Sequence, residues 1–298
     1  MPVNRVLVRS AMMFLVMGTL LVSGCSSSKP AQKANTVVSD NYGRALHLYD
    51  TKHYDEALIA LEPLRFSSRG TGLEGEVLFL LAKTYYSSEQ YFLAADTFTR
   101  LLQQIPSTPH ARSALFMIAK SYEKLSPDTE LDQQITAKAI EQFGLYIELY
   151  PVPDSARISG DVEKYRELVK INPGNPSYKE GLSKANIAFA RIDTLRYAAR
   201  VIPQLREKLA KNLFGIAHQY IQLKKYKAAG LYYDELIKRY QDTSYLQRAW
   251  TGKIDVLVKR KKWFDAAQAI DQYLQVYPGK QKEIESLRET VMKKFSNN

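Results

Sequence analysis

Beyond about residue 40, apolar residues recur at three- and four-residue intervals with almost no strict alternation. The body therefore reads as helices and not as strands. The pattern also repeats itself. Ala45, Ala82 and Ala119 are spaced by 37 residues, and Ile254 follows Ala217 by the same interval. A second set accompanies the first: Tyr54 and Ala57, Tyr91 and Ala94, Ala139, Tyr226 and Ala229, and Trp263 and Ala266. Large residues follow at Leu61, Phe98, Phe143, Tyr233 and Ile270, and prolines at 106, 151 and 278 close three of the units. A small residue on each helix of a hairpin lets the two backbones approach, and an aromatic ring beside it fills the remaining space. Proline then stops the second helix. One such hairpin cannot bury its apolar face alone, so about five must stack into a continuous core.

Two irregularities interrupt the register. The alanines of the third unit, Ala119 and Ala139, stand twenty residues apart where the others stand twelve apart, so its turn gains eight residues within 125–136. A further stretch at 154–204 fits no unit. It contains Asn172-Pro173-Gly174-Asn175-Pro176, a strong turn signal between two helix-like segments. It is expected to form an inserted helical hairpin or a lengthened connection.

The N-terminus has another character. Arg5 and Arg9 precede an apolar run, Ala11–Val22, and no acidic residue occurs before Asp40. The run is shorter than the roughly 20 residues a membrane-spanning helix needs. It leads into Leu21-Val22-Ser23-Gly24-Cys25, and Cys25 is the only cysteine of the 298 residues. The segment resembles the lipobox of bacterial lipoproteins. That resemblance implies a signal peptide over 1–24, a lipidated Cys25, and a flexible tether over 25–39. Ser26 after the cysteine resembles lipoproteins sent to the outer membrane.

Composition sharpens this picture at two points. A single cysteine excludes an internal disulfide and any zinc site with two or more thiolates. The formal net charge of +11 is not spread evenly, because residues 196–262 hold 16 Lys+Arg against 5 Asp+Glu. A secreted lipoprotein meets little nucleic acid, so acidic protein surfaces or anionic headgroups are the expected partners of that segment, with no nucleic acid among them.

No catalytic chemistry emerges. Gly70, Gly72 and Gly75 have dinucleotide-fingerprint spacing but lack the strand–helix context, and read as a turn between repeats. His47, His53, His110 and His218 have no metal-pair spacing, and there is no nucleophile elbow. A binding protein without cofactor or metal is expected.

The repeat resembles the tetratricopeptide repeat, slightly longer than its usual unit of about 34 residues. That resemblance implies an all-α superhelix of about five helix-turn-helix repeats, divided into repeats 1–3 at 40–153, the insertion at 154–204, and repeats 4–5 with a tail at 205–298. It also implies a concave face lined by the first helix of each repeat. Tyr42, Phe79 and Phe116 stand three residues before the small position, Lys83 and Lys120 directly after it, and Tyr49 and Tyr86 four after. Such a wall suits an extended peptide with apolar side chains and a free carboxylate.

Lipobox, repeat number and enlarged third turn together resemble the BamD family, lipoproteins of the outer-membrane β-barrel assembly machinery. The likeness includes Asp132-Gln133-Gln134-Ile135-Thr136, Leu205–Ala210 and Tyr240-Gln241-Asp242-Thr243. It implies a non-catalytic role on the periplasmic face of the outer membrane. The partners it implies are the periplasmic domains of a BamA-like barrel protein and unfolded outer-membrane protein precursors. The alternative is a tetratricopeptide lipoprotein serving as an adaptor in cell-wall remodelling or pilus assembly.

Overall fold

The computed structural model describes residues 28–152 and 154–296. Among them are twelve α-helices, one short 3₁₀ turn and no strand. Cys25 and the signal segment lie outside the described residues. The chain forms two compact units, one ending at Ser88 and the other beginning at Glu89.

The first unit holds α1 (Ser28–Asp50), α2 (Tyr54–Ser67) and α3 (Glu74–Ser87). α1 packs on α2, and α2 on α3. The expected tether thus becomes helical at Ser28, and Val38, which lies ahead of the first repeat, is already buried. Ala31 and Ala34 favour helix there on intrinsic grounds. Gly70 takes a left-handed φ of 71° in the turn before α3, and its N–H donates to Glu74 Oε2 at 2.8 Å. Gly70 and Gly72 thus lie in an inter-helix turn, and Gly75 in the first turn of α3.

The second unit holds α4 (Tyr91–Gln104), α5 (Ala111–Leu125), α6 (Gln134–Leu149), α7 (Ser155–Ile171), α8 (Pro176–Gln222), α9 (Tyr226–Arg239), α10 (Leu246–Lys259), α11 (Trp263–Val276) and α12 (Gln281–Ser296). Each packs on its neighbour in chain order, except that α6 passes α7 by and packs on α8, while α7 lies along α8. The periodic positions all lie in the core. Ala45, Ala82, Ala119, Ala217 and Ile254 are fully buried, as are Ala57, Ala94, Ala139, Ala229 and Ala266.

The hairpin turns share a geometry that sequence spacing alone does not reveal. Lys52, Glu89, Lys224 and Lys261 all have positive φ, between 53° and 63°. Around Lys52, the His53 N–H donates to the Leu48 carbonyl and the Lys52 N–H to that of Tyr49, both at 2.9 Å. The same pair of bonds recurs at Lys224–Lys225 and Lys261–Lys262. This is the Schellman helix ending, whose left-handed residue is most often glycine. Lys52→Gly is therefore expected to raise stability by about 1 kcal/mol, read as a higher denaturant midpoint at unchanged slope.

The third hairpin differs because its turn is longer, and polar side chains organise it. Gln133 donates to the carbonyls of Asp128 and Leu131 at 2.7 and 2.9 Å, and accepts from the Thr136 hydroxyl at 2.7 Å. Two residues of α8 hold it from outside. Lys208 Nζ donates to Ser126 Oγ at 2.8 Å, and Asn212 Nδ2 to the Thr129 carbonyl at 2.6 Å.

The 154–204 stretch forms a hairpin from α7 and the first half of α8. Asn172–Asn175 makes the turn, and Asn175 Oδ1 caps α8 by accepting from the Ser177 and Tyr178 N–H groups at 3.0 and 3.4 Å. A Cβ on Gly181 would stand 2.3 Å from the Tyr165 ring, so glycine is what allows the close approach there. The boundary expected at 204/205 does not interrupt the chain. α8 runs for 47 residues, about 70 Å, and carries both the insertion and the first helix of the fourth repeat. Pro203 lies inside it and withholds one backbone bond.

Because α8 is continuous, it joins two cores. Ala198, Val201 and Leu205 pack with Leu115, Ala119, Ala139, Phe143 and Tyr146 of α5 and α6. A few residues on, Leu209, Ala210 and Ala217 pack with Ala229, Tyr233 and Leu236 of α9. A third cluster closes the unit, where Ile284 and Val291 of α12 cover Ile254, Ile270 and Tyr273.

Candidate functional site

The seven residues expected in one groove fall in different units. In the first unit, Tyr42 and Tyr49 project from α1, and Phe79, Lys83 and Tyr86 from α3, all of them half-buried. Lys83 Nζ lies 4.5 Å from the centre of the Tyr49 ring and 5.8 Å from that of Phe79. The Tyr49 hydroxyl reaches Ser87 Oγ at 3.5 Å, and its ring tilts against Tyr54 at 5.6 Å. The ammonium is thus held against ring faces, a favourable arrangement because the quadrupole of each ring presents its negative face. Among the described residues Lys83 has no ion-pair partner, so its charge remains available to an anion.

Electrostatics gives this site a direction. The Tyr42 hydroxyl has its pKa raised, first by burial and then by the nearby Glu76 and Asp50 carboxylates. Negative charge is therefore disfavoured at the Tyr42 end and favoured at Lys83.

The second unit corrects the remaining expectation. Phe116 and Lys120 do not look into an open groove, because Tyr197 of α8 covers them. Lys120 Nζ lies 4.3 Å from the centre of the Tyr197 ring, and Phe116 meets that ring edge-on at 5.7 Å. The Tyr197 hydroxyl bonds both Glu123 carboxylate oxygens at 2.9 Å. Burial lowers the Lys120 pKa, with Glu123 opposing the shift and Lys124 adding to it. The cause is the inserted hairpin, whose length brings Tyr197 over α5. Arg112 fastens the same junction, since its guanidinium donates to the Tyr146 hydroxyl at 3.0 Å and to the carbonyls of Tyr150 and Arg191 at 3.3 Å.

A cavity of about 290 Å³ opens farther along the second unit. Thr129 and Glu130 of the enlarged turn form one wall, Lys211, Asn212 and Phe214 of α8 another, and Tyr245 and Arg248 a third. Arg248 lies 4.4 Å from the Phe214 ring centre and 5.3 Å from that of Tyr245. Phe214 was discoverable in the sequence, because it stands three residues before Ala217 as Phe116 stands before Ala119. Tyr197 was not, because it belongs to no repeat. Among the described residues no group of three or more His, Cys, Asp or Glu is gathered as a metal site would require.

Two segments of the chain match a known repeat family. Residues 76–108 and 113–151 match the tetratricopeptide repeat family model. No curated protein matches the chain. Among solved structures, the yeast Sti1 TPR2AB domain in complex with an HSP90 peptide is 15% identical. It covers 87% of this chain and 99% of its own, with a TM-score of 0.32. A tetratricopeptide repeat protein from Parabacteroides merdae is 12% identical and covers 86% of this chain and 98% of its own, with a TM-score of 0.33. The matched segments hold the second and third hairpins, and the same buried small residues recur at the same spacing in the fourth and fifth. The chain is thus an array of helical hairpins, two of which, over 76–108 and 113–151, are similar to the tetratricopeptide repeat.

Proposed function

We propose that the chain is a non-catalytic, lipid-anchored adaptor of the outer-membrane β-barrel assembly machinery, of the BamD kind. It would bind the periplasmic domains of a BamA-like barrel protein and receive unfolded outer-membrane protein precursors. The observation that carries the peptide-binding part is Lys83, an ammonium held against the Tyr49 and Phe79 rings with no carboxylate of its own. A peptide ending in an aromatic residue and a free carboxylate fits such a site, through ring contact and one charge-assisted hydrogen bond. The carboxylate binds at Lys83, and the preceding residues run toward Tyr42, where the flanking acids repel a second anion. Lys120 drops out of this site, since Tyr197 already covers it.

Two experiments test the reading. A tagged chain purified from membranes is expected to bring down a large outer-membrane barrel protein. Recovery of peptidoglycan enzymes or pilus components alone would replace the proposal with the adaptor alternative. Titration of a short peptide ending in phenylalanine should show about a tenfold weaker affinity for Lys83→Ala, the loss of one charge-assisted bond, and no change for Lys120→Ala. Equal affinity of the Lys83 variant and wild type would remove the site. Cys25→Ser is expected to make the protein extractable from outer membranes by molar salt, under which the lipid-anchored wild type stays bound.

A further inference from the structure

Two hairpin turns of the second unit lie side by side and carry charge of one sign. The turn between α8 and α9 holds Lys224 and Lys225, with Lys227 just after it in the first turn of α9, and the turn between α10 and α11 holds Arg260, Lys261 and Lys262. The first three and Arg260 line one shallow depression with Tyr226 and Leu231, so the two turns make a single surface. A Cβ on Gly230 would stand 4.0 Å from an Arg260 guanidinium nitrogen, which places that cation against α9. Phe264, beside the second turn, meets Phe295 at 5.6 Å between ring centres. That contact brings in the end of α12, with Lys293 and Lys294.

The surface lacks the acids that usually accompany such lysines. No acidic residue occurs from Lys208 to Tyr233, and Asp265 is the one carboxylate between Val256 and Ile270. Neighbouring Lys259 is paired with Asp255 at 2.7 Å, whereas the eight cations named above have no ion pair among the described residues. Large apolar side chains project among them: Leu223, Leu231 and Phe264 are each at least 60% exposed. An exposed leucine alone needs no explanation. Three beside unpaired cations form an amphipathic face.

We propose that this edge is a membrane-contact surface for a bilayer carrying anionic headgroups. The cations pair with lipid phosphates, and Leu223, Leu231 and Phe264 enter the boundary between headgroups and acyl chains. Composition favours lipid over an acidic protein. Protein interfaces are depleted in lysine and enriched in arginine, and here seven of the eight cations are lysine. A compact ammonium on a flexible stem can follow a fluid array of phosphates, whereas a guanidinium fork favours fixed bidentate geometry. No described helix is long and apolar enough to cross a membrane, so the contact is peripheral. The proposal is independent of Lys83 and of the Cys25 anchor, and it can fail while the adaptor reading stands.

The test uses the full chain with Cys25→Ser, so that an added cysteine is unique. An environment-sensitive dye is attached at Leu231→Cys on α9, and in a control chain at Ile187→Cys, roughly 40 Å away along the axis of α8. With phosphatidylglycerol vesicles the dye at 231 is expected to shift to the blue, while that at 187 does not. Phosphatidylcholine vesicles should give no shift at either position, even if the apolar N-terminal segment binds them. Lys224→Gln, Lys225→Gln and Lys227→Gln combined should raise the lipid concentration for half-maximal shift by about 100-fold, roughly fivefold per charge. Molar salt should act in the same direction. Equal shifts at 187 and 231, or equal response to neutral lipid, would overturn the proposal. A shift with soluble polyglutamate and none with vesicles would overturn it in favour of an acidic protein partner.

Discussion

Phe143→Ala is expected to lower stability by about 3–5 kcal/mol, the range for truncating a fully buried aromatic side chain. Phe143 is completely enclosed on α6, packed among Leu115, Ala119 and Ala139 together with Ala198, Val201 and Leu205 of α8. Its ring meets Phe116 at 6.0 Å and Tyr197 at 6.1 Å. The neighbours cannot collapse into the space left, because Tyr146 beside it is tied to Arg112 and to Thr194 Oγ1 through its hydroxyl. In an array of repeats each element depends on its nearest neighbours, so the damage should be local. Amide hydrogen exchange is expected to accelerate in α5, α6 and residues 192–205 of α8, with little change in α11 and α12. Uniform acceleration throughout the second unit would contradict that locality.

Gly252→Ala is expected to cost about 1–3 kcal/mol, an overpacking penalty and not a cavity. A Cβ at position 252 on α10 would lie 2.4 Å from the Tyr233 ring. Tyr233 is almost fully buried on α9 and its ring is tilted against Phe214 at 5.9 Å, so it has little room to move. Intrinsic helix propensity predicts the opposite sign, since alanine is favoured over glycine in a helix interior by about 1 kcal/mol. The denaturant midpoint of this one variant therefore decides whether close approach of α9 and α10 outweighs propensity. Gly144→Ala on α6 is the matched control, because nothing lies within 4 Å of a Cβ there, and it should be neutral or stabilising.

Most of the fold was legible because paired positions, nearly all small and most of them 37 residues apart, mark helices packed closely on one another. Each of the ten such positions is buried. The enlarged third turn was legible as a length, but not as a structure, since its order comes from Gln133, Lys208 and Asn212, residues remote from one another in sequence or outside any periodic pattern. Of the residues expected in the groove, register placed Lys83 beside Tyr49 and Phe79, and the three are in contact. It failed at Phe116 and Lys120 because their cover, Tyr197, comes from an insertion that repeat register does not describe. The basic segment at 196–262 was visible as a composition. Its concentration on two adjacent turns was not, because the 37-residue spacing had first to be converted into side-by-side hairpins.

The continuity of α8 constrains which chain lengths the molecule can accept. Tyr197 must face Lys120 and Glu123 while Arg206, nine residues later, makes its two bonds to the Asp242 carboxylate. Both contacts hang on one helical phase. Adding or removing a single residue between them turns one contact through about 100° relative to the other, so changes there are tolerated only in steps near whole turns. The 172–175 turn at the far end of the hairpin has no such phase to keep. Length variation among related chains should therefore collect at that turn and spare residues 197–206.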